Sequence, residues 1–157
     1  MTHPNEDNGR RIVVGVDGSP NGTSALRWAV AQARLSGASI ETITAWHDPP
    51  MIGYEYGRSP VRYDGENVAV IAEKILTETV AEILGHQDHP VPIRTRVVQG
   101  HPAQVLLEAA TGAQLLIVGS RGHGTFAGTL LGSISRRCVQ HAPCPVVVVP
   151  LDPAPSR

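Results

Sequence analysis

Short apolar, β-branched runs alternate with segments of helical periodicity along this chain. Residues 12–16 are almost entirely apolar and end at a turn containing Asp, Gly and Pro, and residues 115–118 are apolar at every position. Because a strand that is apolar on both faces must be covered on both, this alternation predicts a parallel sheet between two layers of helices. We therefore expect an α/β fold, an open five-stranded parallel sheet of Rossmann-like type.

The same pattern gives approximate positions for the elements. Strands are predicted at residues 12–16, 39–46, 93–98, 115–118 and 145–149. Helices are predicted from Pro20 to Gly37, from residue 68 to Gly85, from Pro102 to Gly112, and from Gly132 to His141. In the third strand Arg94 and Arg96 point to one face, which is typical of a strand at the edge of a sheet.

The length of 157 residues fits a single domain. We predict that domain at residues 11–150, between a polar tail at 1–10 and a Pro-rich tail at 151–157. The first tail lacks the apolar core of a secretory signal, and no run approaches the roughly 20 apolar residues of a membrane span. Cys138 and Cys144 have no second pair, which favours buried thiols over a zinc site or a disulfide. We therefore expect a cytoplasmic protein that does not interact with a membrane.

The charge balance argues against nucleic acid as a partner. Thirteen basic and fourteen acidic residues give a net charge of −1, whereas nucleic-acid binding needs a basic stripe. Twelve of the basic residues are Arg, and the single lysine, Lys74, does not follow a glycine, so the chain has no P-loop. The seven His residues form no i,i+4 pair, so the sequence predicts no metal site built from side chains.

The residues that follow each strand are the most informative about function, because open parallel sheets bind ligands beyond the carboxyl ends of their strands. Asp17 follows the first strand in the segment Gly15-Val16-Asp17-Gly18-Ser19. Its carboxylate could accept hydrogen bonds from the hydroxyls of a ribose. It could equally form an Asx-turn with the amides of the loop. The residue alone leaves both interpretations open.

A glycine-rich segment follows the fourth strand and leads into a helix. It consists of Gly119, Ser120, Arg121, Gly122, His123, Gly124 and Thr125, with Gly132 and Ser133 at the helix start. Glycines present backbone N–H groups without an obstructing Cβ, and a helix N-terminus attracts anions, so this segment predicts a phosphate cradle. In the alternative interpretation it is a plain connection with Ser133 as the N-cap. Arg121 and His123 either neutralise phosphate or are simply exposed.

The spacing Gly119-x2-Gly122-x9-Gly132-Ser133 resembles the Gly-x2-Gly-x9-Gly-Ser/Thr signature of the ATP-binding branch of the universal stress protein family. Three further segments, at residues 12–19, 98–102 and 144–149, resemble that family's opening strand and turn, its Gly-x-Pro turn and its closing strand. The resemblance covers the chain from Arg11 to Pro150. It implies the sheet order 3-2-1-4-5, with a nucleotide beyond Val16 and Val118.

The resemblance also implies a set of binding residues. Those implied near the nucleoside are Gly15, Val16, Asp17 and Trp46. Those implied around the ribose and phosphates are Gly119, Ser120, Arg121, Gly122, His123, Gly124, Thr125, Gly132, Ser133, Ile134 and Ser135. No catalytic residue is implied.

The function implied by the resemblance is that of an ATP-binding regulatory protein of the stress response, with Mg²⁺ held mainly by the phosphates. A slow Mg-dependent ATP hydrolase or phosphotransferase is one alternative, although no base and nucleophile stand at a suggestive spacing. A binder of another adenine nucleotide, such as cyclic AMP, is the other. The apolar strand from Pro145 to Val149 predicts a homodimer through an exposed sheet edge. The long connection from His47 to Gly65 receives no assigned chemistry.

Overall fold

The structure, a computed structural model, describes residues 10–47, 65–85, 91–121 and 131–151. The elements in chain order are β1 (Arg11–Gly15), α1 (Pro20–Ser36), β2 (Ser39–Trp46), α2 (Gly65–Leu84), β3 (Ile93–Gln99), α3 (Pro102–Ala109), β4 (Leu115–Gly119), α4 (Ser133–His141) and β5 (Val146–Val149). None of these helices has the length and apolar character needed to cross a membrane. Most of both predicted tails, and of the connection from His47 to Gly65, lies outside the described residues.

The five strands form one parallel sheet in the order β3-β2-β1-β4-β5, which confirms the predicted topology. From the central β1 the chain winds outward through β2 and β3, and then returns to place β4 and β5 on the other side of β1. The winding therefore reverses between β1 and β4. In sheets of this type the crevice at the reversal, beyond the carboxyl ends of the strands, is the usual place for a ligand.

Two hydrophobic clusters cover the two faces of the sheet. Ile12 and Val14 of β1 pack with Leu26 of α1 in one cluster, which also receives buried residues of α2. Val13 and Leu106 belong to the other cluster, which joins α3 and α4 to the opposite face. The alternation of side chains along β1 therefore supplies both clusters, as expected for a strand covered on both sides.

Short sequence signals determine both ends of α1. The hydroxyl of Ser19 accepts a hydrogen bond from the amide of Gly22 at 3.2 Å, and Pro20 occupies the first helical position. Gly37 ends the helix in the left-handed region at φ 73°, and its N–H donates to Ala33 O at 2.8 Å. Serine caps, an initial proline and a terminal glycine each satisfy the backbone at a helix end, and their order here is the expected one.

An ion cluster around the buried carboxylate of Glu41 lies toward the opposite, amino end of the sheet. Glu41 of β2 is 5% exposed, and its Oε2 and Oε1 accept hydrogen bonds from Arg11 Nη1 at 2.8 Å and Arg96 Nη1 at 2.5 Å. Arg11 also donates to the carbonyls of Ala109 and Thr111, both at 3.0 Å. Because a buried carboxylate is tolerated only when it is paired, these bonds make Glu41 compatible with a central strand. They join β1, β2 and β3 to the end of α3.

Candidate functional site

A cleft of about 680 Å³ opens at the carboxyl ends of β1 and β4, where the winding of the sheet reverses. It is lined by Gly15, Val16, Asp17, Gly22, Ile43, Ala45, Pro102, Leu106, Val118, Gly119, Arg121, Gly132, Ser133, Ile134 and Ser135. The cleft therefore lies where the sequence predicted a ligand site.

Most of the predicted site residues that the structure describes meet in this cleft. They are Gly15, Val16, Asp17, Gly119, Arg121, Gly132, Ser133, Ile134 and Ser135. Two others, Trp46 and Ser120, lie close to it in the chain but do not line it. The remaining four, Gly122, His123, Gly124 and Thr125, lie outside the described residues.

Asp17 forms a turn with the residues that follow it. Its Oδ1 accepts hydrogen bonds from the amide of Ser19 at 2.9 Å and from the Ser19 hydroxyl. The structure thus contains the Asx-turn that was one of the two interpretations of this residue. The turn also orients the carboxylate, which is exposed and lines the cleft. A contact from Asp17 to a ribose stays a prediction.

Two glycines allow the start of α1 to approach the strand ends closely. A Cβ on Gly22 would lie 2.9 Å from Asp17 Oδ1, and a Cβ on Gly119 would lie 2.8 Å from the Cβ of Asn21 and 3.0 Å from its carbonyl carbon and oxygen. Real Cβ atoms essentially never show contacts under 3.0 Å, so a side chain at either position would force a neighbouring group to shift. The absence of a side chain at Gly119 is therefore required for β4 to pack against α1. The sequence pattern did not reveal this role.

Ser120 connects four elements behind the cleft. Its amide donates to Val149 O of β5 at 2.8 Å, and its carbonyl accepts from the amide of Gly132 at 2.8 Å and from the Ser135 hydroxyl at 3.1 Å. Its own hydroxyl accepts a hydrogen bond from Asn21 Nδ2 of α1 at 3.0 Å. Ser120 thus fixes the start of α4 relative to the sheet, which is a positioning role. A contact from Ser120 to a ligand stays a prediction.

The first turn of α4 faces the cleft. Gly132, and not Ser133, is the N-cap, and the first i→i−4 hydrogen bond runs from Arg136 N to Gly132 O at 3.0 Å. The amides of Ser133, Ile134 and Ser135 precede that bond, so helix geometry gives them no acceptor within the helix. A helix N-terminus of this kind, lined by a serine hydroxyl, is suited to an anion.

Trp46 was predicted to present its backbone to an adenine ring. Its carbonyl accepts a hydrogen bond from the amide of Gly100 at 2.8 Å, which ties the end of β2 to the turn after β3, and a contact to an adenine stays a prediction. Its neighbour Ala45 lines the cleft. A backbone contact from this strand to a ligand would therefore form alongside the hydrogen bond between Trp46 and Gly100.

The apolar wall of the cleft was not identified from the sequence. Ile43 and Ala45 lie two residues apart on β2, and Pro102 and Leu106 lie four apart on α3. Both spacings put each pair on one face of its element, which is the signal that could have identified them. A Cβ on Gly15 would lie 2.8 Å from Leu106 Cδ1, so α3 packs directly over the end of β1.

The charged groups of the described lining are few. Asp17 is the single carboxylate and Arg121 the single Arg or Lys among the cleft residues that the structure describes, and both are exposed. Within the same part of the chain, no three His, Cys, Asp or Glu side chains are grouped to hold a metal ion. The described lining can thus accept from hydroxyl groups and can hold an anion, but it offers little for binding a bare cation.

The two cysteines lie outside this cleft lining. Cys138 lies on the buried face of α4, and this burial raises the pKa of its thiol to about 11. Burial also raises the pKa of Cys144, an effect that the charge of Arg11 and a hydrogen bond with the backbone of Leu116 oppose. Both side chains are free thiols; Cys138 is buried as predicted, whereas Cys144 is only partly buried.

Residues 9–150 match the sequence model of the universal stress protein family. A universal stress protein of Mycobacterium tuberculosis is 36% identical over 148 residues, which make up 91% of this chain and 45% of that protein. A universal stress protein of Mycolicibacterium smegmatis is 36% identical over 140 residues, 88% of this chain and 45% of that one. The chain thus spans a little under half the length of the curated relatives that it matches.

Solved structures of the same family share the fold. The crystal structure of a universal stress protein in complex with cAMP superposes with a TM-score of 0.64 at 28% identity, over 91% of this chain and 98% of that chain. A universal stress protein from Archaeoglobus fulgidus in complex with dAMP superposes with a TM-score of 0.63 at 19% identity, over 88% and 96%.

Proposed function

The chain belongs to the universal stress protein family, and we propose that it binds an adenine nucleotide in the cleft between β1 and β4 as a regulatory protein of the stress response. One observation carries the proposal. The carboxylate of Asp17, which is held in a turn, and the first amides of α4 line the same cleft. This cleft lies where the winding of the sheet reverses. The first group suits the hydroxyls of a sugar and the second suits phosphate, which are the two polar parts of a nucleotide.

The apolar wall supplies a place for the base. Ile43 and Ala45 come from β2, and Leu106 comes from α3, so this wall lies on the β2 side of β1, while α4 lies on the β4 side. A ligand that spans the cleft would therefore meet apolar side chains at one end and helix amides at the other. The related protein that is 28% identical was solved with cAMP, which supports adenine as the base.

ATP is the nucleotide that we propose first, with Mg²⁺ held mainly by its phosphates. The described lining contains no lysine, one exposed arginine and one carboxylate, whose Oδ1 is engaged by Ser19. A triphosphate needs more positive charge than Arg121 and a helix N-terminus provide. Mg²⁺ prefers oxygen ligands and retains water, so it could supply that charge without a set of protein ligands. The residues that line the cleft therefore support binding of the nucleotide more strongly than its hydrolysis.

Cyclic AMP is a second candidate, favoured by the ligand of the 28% identical relative. A cyclic monophosphate carries a single negative charge, which the first turn of α4 and Arg121 can balance without a metal ion. The two candidates therefore differ in metal dependence as well as in size.

The decisive experiment begins with the purified chain. The protein is denatured, and any released nucleotide is measured at 260 nm and identified by chromatography. Calorimetry then compares ATP, ADP, AMP and cyclic AMP, with GTP as the control for the base, each with Mg²⁺ and with excess chelator. We expect ATP to bind most tightly of these nucleotides. Its affinity should fall roughly tenfold in excess chelator. Tightest binding of cyclic AMP, unaffected by chelator, would select the second candidate. Absence of binding by every adenine nucleotide, or equal binding of GTP, would overturn the proposal. Release of ADP over hours would add slow hydrolysis.

Pairing of two copies through β5 belongs to the same proposal. Val149 O and Pro145 O accept hydrogen bonds from Ser120 N and Leu116 N, so in a parallel ladder the backbone groups of Val146 and Val148 point away from β4. The strand carries four valines, three of them only partly buried. An apolar open edge is normally paired or covered, and a two-fold axis would pair it with itself.

Sedimentation tests this pairing. We expect a dimer at micromolar concentration, and we expect Val148→Pro to be monomeric because proline removes an outward N–H without removing a bond to β4. Thr95→Pro, at the opposite edge of the sheet, is the matched control and should stay dimeric. A wild-type chain that is monomeric at every concentration rules this pairing out.

A cytoplasmic location is also proposed. The chain has two cysteines, and both are free thiols, one of them buried. A reducing compartment keeps such thiols unmodified. Cell fractionation of the tagged protein tests the location, and recovery from the membrane or secreted fraction would contradict it.

A further inference from the structure

We propose that the outer face of helix α4 binds an acidic amphipathic helix of a partner protein. This face consists of the exposed side chains of Arg136, Arg137, Val139, Gln140 and His141, and we refer to it as the α4 face. None of these residues lines the cleft between β1 and β4. Binding at the α4 face therefore does not require a ligand in that cleft.

The α4 face belongs to a long stretch of sequence without acidic residues. Between Glu108 and Asp152 the chain contains Arg121, Arg136 and Arg137 but no Asp or Glu. All fourteen acidic residues lie outside this stretch, although the whole chain has a net charge of only −1. Positive charge is therefore concentrated on one part of a nearly neutral protein, and such a concentration attracts anionic partners.

The arginines of the α4 face are not neutralised within the described part of the chain. Arg136 and Arg137 are exposed, and neither makes an ion pair or a side-chain hydrogen bond with any residue that the structure describes. Helix α3, which packs against α4, carries one carboxylate, Glu108. That carboxylate accepts a hydrogen bond from Gln104 Nε2 at 3.1 Å, and Glu108 lines the cleft beside β3 together with Arg96. Because Glu108 lies on the β3 side of α3, it leaves the guanidinium groups of α4 available to a partner.

Helix stability does not account for the charges of α4. The helix contains no carboxylate, and its two arginines directly follow the first three residues. The amino end of a helix carries partial positive charge, so acidic residues stabilise it and basic ones do not. Neither arginine has an acidic residue three or four positions away with which to pair. A pattern that is unfavourable within its own helix is expected where the residues serve a contact with another molecule.

The spacing on the α4 face fits a second helix. Arg136 and Gln140 lie four residues apart, as do Arg137 and His141, so the polar groups form two neighbouring rows along α4. Val139 lies on the other side of the first row and is 51% exposed. Helices pack on each other through rows of this kind. A partner helix along the row of Arg136 would bring carboxylates to both arginines and an apolar side chain to Val139.

A membrane surface and a nucleic acid fit this face less well. Membrane-binding segments usually carry clusters of about 4–8 Lys or Arg, which is more than α4 contains. Val139 is also the one exposed large hydrophobic residue of this helix. Nucleic-acid binding needs a longer basic stripe than two arginines on a nine-residue helix provide.

A second copy of this chain is disfavoured as well. Its most acidic described helix is α2, which exposes Glu73, Glu78 and Glu82. Lys74 lies among them, with its Nζ 4.0 Å from Glu78 Oε1, and would face the arginines of α4. Contact between α4 of one copy and α2 of another is also not self-complementary, so it would add further copies in an open series.

Fluorescence anisotropy with the full chain tests the proposal. The probe is a labelled peptide of about 16 residues, a length at which an isolated helix begins to form. It carries Glu at every fourth position beside a row of Leu, and the comparison peptide has Lys in place of each Glu. Arg137→Glu should weaken binding of the Glu peptide by about tenfold and should strengthen binding of the Lys peptide. Val139→Ser should weaken binding of the Glu peptide by about threefold.

The matched control is Arg34→Glu. Arg34 is an exposed arginine of α1, which covers the opposite face of the sheet. Its reversal changes the net charge of the protein by the same amount, so it separates contact at α4 from a general effect of charge. We expect this variant to bind both peptides as the wild type does.

Amide chemical shifts locate the contact without altering the protein. When the Glu peptide is titrated into the isotope-labelled wild-type chain, the largest shifts should fall on α4 and should diminish with added salt. Shifts grouped on α1 or α2 would contradict the proposal, and this readout stands even if a variant fails to fold.

Five other results would overturn the proposal. The first three are no binding of the Glu peptide to the wild type, equal binding of the Lys peptide, and equal weakening by Arg34→Glu. The fourth is tighter binding of phosphatidylserine vesicles or of a single-stranded oligonucleotide than of the Glu peptide, with Arg137→Glu weakening it. The fifth is self-association beyond a dimer that both Arg137→Glu and Glu82→Lys abolish, which would assign the α4 face to a second copy.

Discussion

The two sides of the cleft between β1 and β4 are built in different ways. After β1, the turn is held by bonds among Asp17, Ser19 and Gly22, all within six residues of sequence. After β4, Ser120 takes its partners from β5, α4 and α1. The first side is therefore a local motif, and the second is an assembly of distant elements. Changes on the β1 side should mainly affect binding, whereas changes on the β4 side should affect folding as well.

Gly119→Ala should show the largest effect, and it should appear in stability. The added Cβ meets the backbone and Cβ of Asn21 at 2.8–3.0 Å, so α1 or β4 must move, at a cost of about 2–3 kcal/mol in the free energy of unfolding. Urea denaturation measures this. Gly22→Ala, on the β1 side, is the matched control. Its nearest contact is the side-chain oxygen of Asp17 at 2.9 Å, and its nearest backbone contact, Asp17 N, lies at 3.2 Å, so it should cost less. A larger cost for Gly22→Ala would break the comparison between the two sides.

Alkaline pH should destabilise the β4 side through Cys138. Burial raises its pKa to about 11 from 9.0, so between these values the unfolded chain loses a proton that the folded chain keeps. The contribution is therefore complete below pH 9 and is lost as the pH rises through 11, for a total of about 2–3 kcal/mol. Unfolding by urea at pH 8 and pH 11 should show this excess loss in the wild type relative to Cys138→Ala. Identical pH dependence in the two proteins would show that this thiol does not contribute.

Asp17→Ala should reduce nucleotide affinity by about 1.5 kcal/mol, because it removes a charged acceptor from the cleft. Asp17→Asn keeps an oxygen for the turn but loses the charge, so it separates the turn from the ligand contact. We expect calorimetry to show weaker binding for both variants, and urea unfolding close to that of the wild type for Asp17→Asn. Unchanged affinity in both variants would mean that the β1 side does not bind the ligand.

Arg121→Ala should have the smallest effect. This residue is exposed at the mouth of the cleft, where an ionic contact contributes about 0.5 kcal/mol and is screened by salt. Nucleotide affinity measured at low and at high salt should differ more for the wild type than for the variant. Arg34→Ala, on α1, is the control for a general change of charge. If Arg121→Ala weakened nucleotide binding as much as Asp17→Ala does, the main ligand contact would lie on the β4 side of the cleft.

Much of the fold could be predicted because its signals are local. Pro20 and Gly37 mark the ends of α1, and the apolar runs mark strands whose ends differ from the observed ones by no more than one residue. The sheet order came from the family resemblance and is confirmed. The burial of Glu41, in contrast, could not be predicted from local signals. Its partners Arg11 and Arg96 lie 30 and 55 residues away, so only the assembled sheet shows why a carboxylate can be buried there.

The candidate site divides in the same way. Asp17 and the start of α4 could be placed because each follows a strand in the sequence. Ala45 and Leu106 were missed because periodicity shows which face of an element is apolar, but not which residues of that face lie beside the cleft. Gly119 was identified for a different reason from the one that the packing shows, since a sequence cannot reveal which neighbour occupies the space of a missing side chain.

The pairing of β1 with β4 has a consequence for how the molecule folds. Ile12 stands beside Leu115, about a hundred residues further along the chain, while β1 with β2 and β4 with β5 are much closer neighbours in sequence. Contacts between such distant residues form slowly, because a long loop must close first. The cleft lies on this seam and exists only once the two halves have joined. A ligand that binds there should therefore stabilise the joined state over the partly folded one, and in refolding experiments should slow the separation of the halves more than it speeds their meeting.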